Sequence, residues 1–238
     1  MNATHYTGAQ LSADERLQLR DALRVPRGHY TAERAGQLSG VPTRTVYHWA
    51  SQGVLIPDYY QDSPKGWSYR DLVYLRLTAW LRTHQMPLDD TQSLVRNWRE
   101  EFESADEFAA TTISTDGVGI GIGSGFDVDA LSGQRVLETM VDVVATFDLL
   151  APITVTEFGR ARLWGPNLVR PSAETAMNPW VMRGEPVVRG SRISTGALYA
   201  PTTSRRLRTE GIVALYPGLT SEAVDDAVEL ESRLRQAA

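Results

Sequence analysis

The chain has 238 residues, of which 42% are hydrophobic and 22% charged, and its formal net charge is −5. This length allows one large domain or two smaller ones with cores of their own. The absence of cysteine excludes disulfide bridges and thiolate metal sites, and the four histidines are scattered without metal-ligand spacing. Because no apolar run is long enough to span a bilayer and no signal-peptide pattern is found, we expect a cytoplasmic protein without membrane contact.

The first predicted helix covers residues 12–23. Ser12 is followed three residues later by Glu15, which is the pattern of a capping box. Pro26 and Gly28 then interrupt the helical pattern, so we expect the helix to end before them. The ten residues that precede Ser12 are polar and unpatterned, which favours a loosely docked arm.

A second, short helix is predicted to begin after Thr31, which is a good N-cap residue. Ala32, Ala35 and Leu38 recur at helical spacing and give this helix one apolar stripe. Gly40 is suited to the left-handed backbone that ends many helices, so we expect a tight turn there.

The third predicted helix follows this turn, with Pro42 at its start and Thr43 as its cap. Val46, Trp49 and Ala50 are expected to face the core. A short helix with hydroxyls and arginine near its N-terminus suits the major groove of DNA, where arginine reads guanine edges and hydroxyls contact phosphates. The candidate DNA-binding residues of this helix are Thr43, Arg44, Thr45, Tyr47 and His48.

A wing is predicted after the third helix. Residues 54–56 favour a strand, residues 58–66 a turn, and residues 67–69 a returning strand. Lys65 lies near the tip of this wing and Arg70 just beyond it, where DNA phosphates would lie. The alternative is a two-helix hairpin whose charges are merely solvated, because an isolated helix-turn-helix pattern has a real false-positive rate.

The stretch 30–72 resembles the winged helix of MerR-like regulators, in which a helix of the form G-V-x-x-R-T-V-x-x-W precedes G-L-L/V-x-P and an aromatic-rich wing. The matching residues are Gly40, Val41, Arg44, Thr45, Val46, Trp49, Gly53, Val54, Leu55, Pro57, Tyr69, Arg70, Asp71 and Leu72. The resemblance covers about forty residues and implies a DNA-binding head.

Two further helices are predicted beyond the wing, at residues 71–82 and from Asp89 or Asp90 to about Phe102. Their position in a MerR-like chain implies a dimer contact. Helices of this kind also serve to close the core of a winged helix, and the sequence leaves both roles open.

The middle of the chain is acidic and favours strands at residues 112–114, 118–122 and 155–158. The glycine-rich run 117–125 satisfies neither the dinucleotide-binding nor the P-loop pattern. Residues 134–145 are compatible with helix or strand, and the proline-containing residues 165–179 favour an exposed linker. Five aromatic residues could line an effector pocket, although such residues more often form plain core. They are Trp98, Phe102, Phe126, Phe147 and Trp164.

The last sixty residues contain a second motif, GEPVVRGSRI, followed by YPGLT. Helices are predicted at residues 196–208 and 212–216 and after Thr220. The motif resembles the small helical domain of bacterial antitoxins with the pattern G-x-P-V-I-x-G-T/S-R-I … Y-P-x-L-T. The matching residues are Gly184, Pro186, Val187, Val188, Gly190, Ser191, Arg192, Ile193, Tyr216, Pro217, Leu219 and Thr220.

Together the two resemblances indicate a VapB-type antitoxin. They imply a homodimer that represses its own operon through operator DNA and neutralises a PIN-domain endoribonuclease toxin. Arginine pairs well with the carboxylates of such a toxin, so the candidate toxin-binding residues are Arg205, Arg206 and Arg208. The alternative is that these arginines are only solvated, as charged runs commonly are. A stand-alone ligand-sensing regulator is the alternative.

The sequence thus predicts an α+β protein in three parts. Residues 1–105 form a winged helix-turn-helix domain, residues 106–175 a strand-rich segment and linker, and residues 176–238 a small helical, winged-helix-like domain. Because the sequence contains no nucleophile–base pair, no metal constellation and no cofactor fingerprint, we expect neither catalysis nor a cofactor nor a bound metal.

Overall fold

The computed structural model describes residues 24–83, 87–104, 112–115, 120–122, 145–148, 150, 152–157, 160–204 and 207–237. Within these ranges the chain forms seven α-helices and three small antiparallel sheets, so the predicted mixed α+β class is confirmed. No helix of the described part is both long enough and apolar enough to cross a membrane. The helix predicted at residues 12–23 and most of the segment 134–145 lie outside the described residues.

The first two helices are joined by the predicted tight turn. Helix α1 spans Ala32–Ser39, and the Thr31 side chain accepts a hydrogen bond from the Arg34 amide. Gly40 ends α1 in the left-handed conformation, with a φ of 75°. Helix α2 spans Thr43–Ser51, but its N-cap is Pro42 and no side chain caps it. Thr43 is therefore the first residue of the helix, and its predicted capping role is wrong.

The segment after α2 forms a loop in place of the predicted strand at residues 54–56. The amides of Val54 and Leu55 both donate to the Trp49 carbonyl, so they close the end of α2 and do not pair with another strand. The returning segment is paired through isolated bridges, Tyr59 with Gly66 and Tyr30 with Trp67. Residues 59–66 thus form a loop closed at its base by bridges, which is called the wing loop below after the predicted element.

Helices α3 (Tyr69–Thr83) and α4 (Leu88–Ser104) follow the wing. Helix α3 is buried from Tyr69 to Leu81, which makes it the central helix of the fold. Helix α4 packs on it, and the Gln92 side chain donates to the Gly53 carbonyl, 2.8 Å away. Within the described part, α4 therefore closes the core behind α2, which is one of the two roles that the sequence left open.

The strands form three sheets. Strands β1 (Thr112–Thr115), β2 (Ile120–Ile122) and β3 (Ala145–Asp148) lie in the order β2-β1-β3. Strands β4 (Ile153–Glu157) and β5 (Arg160–Gly165) form a hairpin, and β6 (Thr175–Ala176) pairs with β7 (Val187–Val188). The strands predicted near residues 112, 120 and 155 are confirmed.

The segment 165–179 is not the exposed linker that its prolines suggested. Leu168, Val169 and Met177 are buried in the main core, and Thr175 starts strand β6. The backbone is bonded as well, because the Leu168 amide donates to the Leu150 carbonyl and the Met177 amide to that of Val169.

Three helices end the chain: α5 (Thr195–Thr203), α6 (Thr209–Leu215) and α7 (Ser221–Ala237). Ser194 caps α5, and the helix ends five residues earlier than the predicted end at residue 208. One apolar cluster joins α5, α6 and α7, whereas Leu230 and Leu234 of α7 belong to the main core with α1 and α3. The last helix therefore connects the C-terminal helices to the N-terminal ones.

Candidate nucleic-acid interface

Helix α2 presents a polar face to solvent. Arg44, Tyr47 and His48 are exposed, with Tyr47 at 62% of its full accessible surface. Val46 and Trp49 on the opposite side are buried in the main core. Thr43 and Thr45 are half-buried at the margin of the exposed face. The five residues predicted on this helix are thus brought together along one edge of the molecule.

The N-terminus of α2 adds to the polarity of this face. The first amides of a helix lack intrahelical partners and carry partial positive charge. The N-cap of α2 is a proline, which has no side-chain oxygen to bind these amides, and the first turn contains no acidic residue. A phosphate oxygen is the kind of group that such a helix end accepts.

Lys65 lies on the exposed wing loop, as the sequence predicted. Its ammonium group is 3.6 Å from the centroid of the Tyr60 ring. A cation in this position is attracted by the electron-rich face of the ring. The contact holds the Lys65 charge at the wing, where it remains accessible to solvent.

Arg70 is not available as a phosphate contact, contrary to prediction. Its side chain is only 9% exposed, and its Nε and Nη2 atoms both lie 2.7 Å from carboxylate oxygens of Asp58. Its third nitrogen, Nη1, donates to the Arg24 carbonyl, 3.0 Å away. The bidentate pair ties the start of the wing loop to the start of α3, so the role of Arg70 is to hold the wing base.

Asp71 forms a capping box with Ser68 at the start of α3. The Ser68 amide donates to Asp71 at 2.8 Å, and the Asp71 amide donates to the Ser68 hydroxyl at 3.2 Å. The Asp58 amide and the Arg99 guanidinium also donate to Asp71. Arg99 additionally lies 3.2 Å from the Asp58 carboxylate, so α4 is joined to the wing base through the same cluster.

The two carboxyl groups of this cluster titrate differently. Complete burial and the neighbouring Asp58 charge raise the pKa of Asp71 to about 6, against the opposing influence of Arg99. Burial would also raise the pKa of Asp58, but hydrogen bonds from Arg70 and the charge of Arg99 lower it below its usual value. The cluster escaped the sequence interpretation, although the Ser68-x-x-Asp71 spacing is a detectable capping signal.

Arg34 of α1 connects the N-terminal helices to the C-terminal segment. Its Nε donates to Glu185 at 2.8 Å, and its two Nη atoms donate to Glu231 at 3.1 and 2.9 Å. Glu231 is 1% exposed and also accepts hydrogen bonds from Thr195 and Arg235. The sequence offered no sign of this contact, because the partners of Arg34 lie 151 and 197 positions away.

The turn between α1 and α2 packs against the end of strand β5. A Cβ atom at Gly40 would lie 2.7 Å from the Trp164 carbonyl oxygen, so only glycine fits. Nearby, the buried Arg76 donates to the Leu38 carbonyl at 2.8 Å and also to the Pro166 carbonyl. The middle segment thus supports the end of α1 and the turn that follows it.

The candidate toxin-binding residues are only partly described. Arg205 and Arg206 lie outside the described residues, whereas Arg208 is exposed at the N-cap of α6. At the other end of the same helix, Leu215 is 63% exposed and Tyr216 is 38% exposed. Tyr216 was named in the sequence as a motif residue and Leu215 was not, and neither was predicted as an exposed apolar contact.

The predicted effector pocket lies mainly on side chains outside the described part of the structure. A cleft of about 80 Å³ lies between the loop at Gly53–Ile56 and helix α4. Ligand pockets usually have volumes of about 300 to 1,000 Å³. Of the five aromatic side chains predicted to line a pocket, Trp164 is the one that the structure describes, and the Arg233 guanidinium lies 4.0 Å from its ring centroid.

Comparison with known proteins gives one match. A family model described as Protein of unknown function (DUF433) matches residues 176–229. No curated protein and no solved structure matches the chain. The matched region runs from the end of strand β6 into helix α7 and includes the GEPVVRGSRI motif.

Proposed function

We propose that the protein binds double-stranded DNA with a winged helix-turn-helix head and thereby represses transcription. The observation that carries this proposal is the arrangement of Arg44, Tyr47 and His48 on the solvent side of α2, whose opposite side is anchored by Val46 and Trp49. A helix held in this way can enter the major groove without disturbing the core.

The chemistry of the exposed residues fits the two kinds of contact that DNA recognition needs. Arg44 donates two parallel hydrogen bonds to guanine O6 and N7, which specifies sequence. Lys65 and the amides at the start of α2 bind phosphates, which positions the head on the duplex. In this proposal the protein is a homodimer, because two DNA half-sites require two reading heads. It acts in the cytoplasm and has no catalytic activity.

DNA binding is tested by fluorescence anisotropy with a duplex from the region upstream of the protein's own gene and a shuffled duplex of equal composition. We expect tighter binding to the former. Arg44→Ala should lose most of this preference, because a bidentate arginine–guanine contact discriminates by about 1–3 kcal/mol. Arg192→Ala, which removes an exposed arginine far along the chain, serves as the matched control.

Two outcomes would contradict the DNA-binding proposal. The first is wild-type protein that fails to bind any duplex at low salt. The second is an Arg44→Ala variant that keeps the wild-type preference between the two duplexes, because α2 would then not be the reading helix.

A second proposed function is neutralisation of a PIN-domain endoribonuclease toxin by the C-terminal helices. The specific support is the exposure of Arg208 at one end of α6 and of Leu215 and Tyr216 at the other. Exposed aromatic, apolar and arginine side chains on one helix are a composition that favours protein interfaces. The three side chains offer a partner one cationic and two apolar anchors.

The toxin partnership is tested by affinity purification of the tagged protein from its native cytoplasm. We expect a small PIN-domain protein in the eluate, and loss of that protein with the double variant Arg208→Ala/Leu215→Ser. Recovery of the protein with DNA alone would contradict the partnership. Ligand-dependent operator affinity would then favour the stand-alone regulator.

A further inference from the structure

The turn at residues 180–184 has an unusual backbone. Met182 and Arg183 are consecutive residues with positive φ values of 48° and 57°. Residues other than glycine rarely adopt this conformation, because Cβ crowds the neighbouring carbonyl. The same turn exposes large side chains, with Trp180 at 44% and Met182 at 45% of their full accessible surface, and Arg183 is exposed as well.

Hydrogen bonds from within and outside the turn hold this conformation. The Gly184 amide donates to the Val181 carbonyl at 2.9 Å, and the Glu185 amide donates to the Met182 carbonyl at 3.2 Å. From the N-terminal segment, the Tyr30 hydroxyl donates to the Gly184 carbonyl at 2.8 Å. Unfavourable backbone that is fixed from several sides is enriched at binding sites.

The turn lies beside the wing. The His29 amide donates to the Arg183 carbonyl at 3.0 Å, so the turn borders the strand-like segment that precedes α1. The His29 ring faces the wing, with its centroid 5.0 Å from that of Tyr59 and its Nε2 3.4 Å from the Asp62 carboxylate. One residue thus touches both the turn and the wing.

Two exposed arginines, Arg27 and Arg183, lie at or next to this turn. The Arg27 guanidinium lies 5.8 Å from the centroid of the Trp180 ring, and Arg183 follows three residues later in the chain. Within the described ranges neither arginine has a carboxylate partner, whereas Arg34 and Arg70 are both paired with acids. Exposed, unpaired arginines beside a candidate DNA-binding wing are suited to phosphate groups.

We propose that the turn at residues 180–184 is a second contact with the DNA backbone, in which Arg183 and Arg27 bind phosphates next to the wing. This inference rests on the proposed DNA binding and adds to it a contact from the segment that matches DUF433. The Trp180 ring attracts the Arg27 guanidinium, which lies 5.8 Å from its centroid, and the fixed backbone avoids the entropy loss of ordering the main chain at Arg183 on binding.

The test is the salt dependence of DNA affinity for Arg183→Ala and Arg27→Ala/Arg183→Ala, measured on the upstream and shuffled duplexes. Each phosphate contact contributes about 0.9 to the slope of log K against log salt concentration. We therefore expect the magnitude of this negative slope to decrease by about one for the single variant and by about two for the double variant. The loss of affinity should be the same factor on both duplexes, and Arg192→Ala should match the wild type.

The possible failures are distinguishable. If the wild type binds DNA and depends on Arg44, but Arg183→Ala has the slope of Arg192→Ala, the turn is not a backbone contact and the DNA-binding proposal survives. If Arg183→Ala instead releases a protein partner without changing the slope, the turn is a protein-binding surface and this inference is overturned. Wild-type protein that binds no duplex overturns both proposals.

Discussion

Arg34→Ala is the substitution that best tests how the C-terminal helices are attached to α1. The Arg34 side chain is 12% exposed and binds Glu185 and Glu231 at the same time. Its removal leaves Glu231 buried at 1% exposure, with Thr195 and Arg235 as its remaining hydrogen-bond donors. The substitution therefore removes the main compensation of a buried negative charge.

The expected magnitude follows from this geometry. Removing one partner of a buried ion pair typically costs about 3–5 kcal/mol, because the other charge is left without compensation. Arg235 still lies 3.0 Å from Glu231, so we expect the low end of that range, about 3 kcal/mol of unfolding free energy. The matched control is Arg235→Ala, which removes the contact to Glu231 from a side chain that is 49% exposed. Because Arg34 still compensates Glu231 in this variant, we expect a loss of at most about 1 kcal/mol.

The assay is urea unfolding of the full chain, followed by circular dichroism at constant pH and salt. The double variant Arg34→Met/Glu231→Leu should recover much of the loss, since an apolar pair of similar volume is often as stable as a buried ion pair. The reasoning is refuted if Arg34→Ala and Arg235→Ala differ by less than about 0.5 kcal/mol, the usual range of surface substitutions.

Two further substitutions test the backbone turn and the buried acid. Gly40 and Gly190 share a φ of 75°, but of the two only a Cβ at Gly40 would meet another atom, the Trp164 carbonyl oxygen. Gly40→Ala should therefore lower the free energy of unfolding by about 1–3 kcal/mol more than Gly190→Ala. Equal melting temperatures of the two variants would contradict this. The pKa of Asp71 is raised from 3.8 to about 6, so the folded state binds the extra proton between these values and stability falls as pH rises through them. The free energy of unfolding, measured at pH 4.5 and at pH 7, should be lower for the wild type relative to Asp71→Asn at the higher pH. A difference between the two proteins that is the same at both pH values would contradict the burial argument.

Local signals in the sequence were sufficient to place both ends of α1. Thr31 and Gly40 fix the start and end of α1 through their own backbone and side-chain preferences, which do not depend on distant residues. The same reasoning misassigned residues 54–56. Valine, leucine and isoleucine favour a strand, yet the amides of Val54 and Leu55 bind the end of α2, and no local pattern reveals that competition.

The candidate site also contains one feature that local sequence signals predicted and one that depends on a distant contact. The outer face of α2 followed from helical periodicity, because Val46 and Trp49 mark the buried side. The burial of Arg70 did not, since its partner Asp58 lies across the wing loop and twelve positions away. Charge type alone does not distinguish an arginine that binds a phosphate from one that binds a carboxylate.

The packing of α1 explains why the proposed reading face depends on the whole chain. Arg34 is held by the C-terminal acids, and Gly40 packs against the end of β5. Leu230 and Leu234 of α7 lie in the same core cluster as Val46 and Trp49 of α2. The main core cluster therefore includes buried residues from the N-terminal, middle and C-terminal segments, so the C-terminal segment also supports the proposed reading helix. These contacts leave Arg44, Tyr47 and His48 of α2 exposed to solvent.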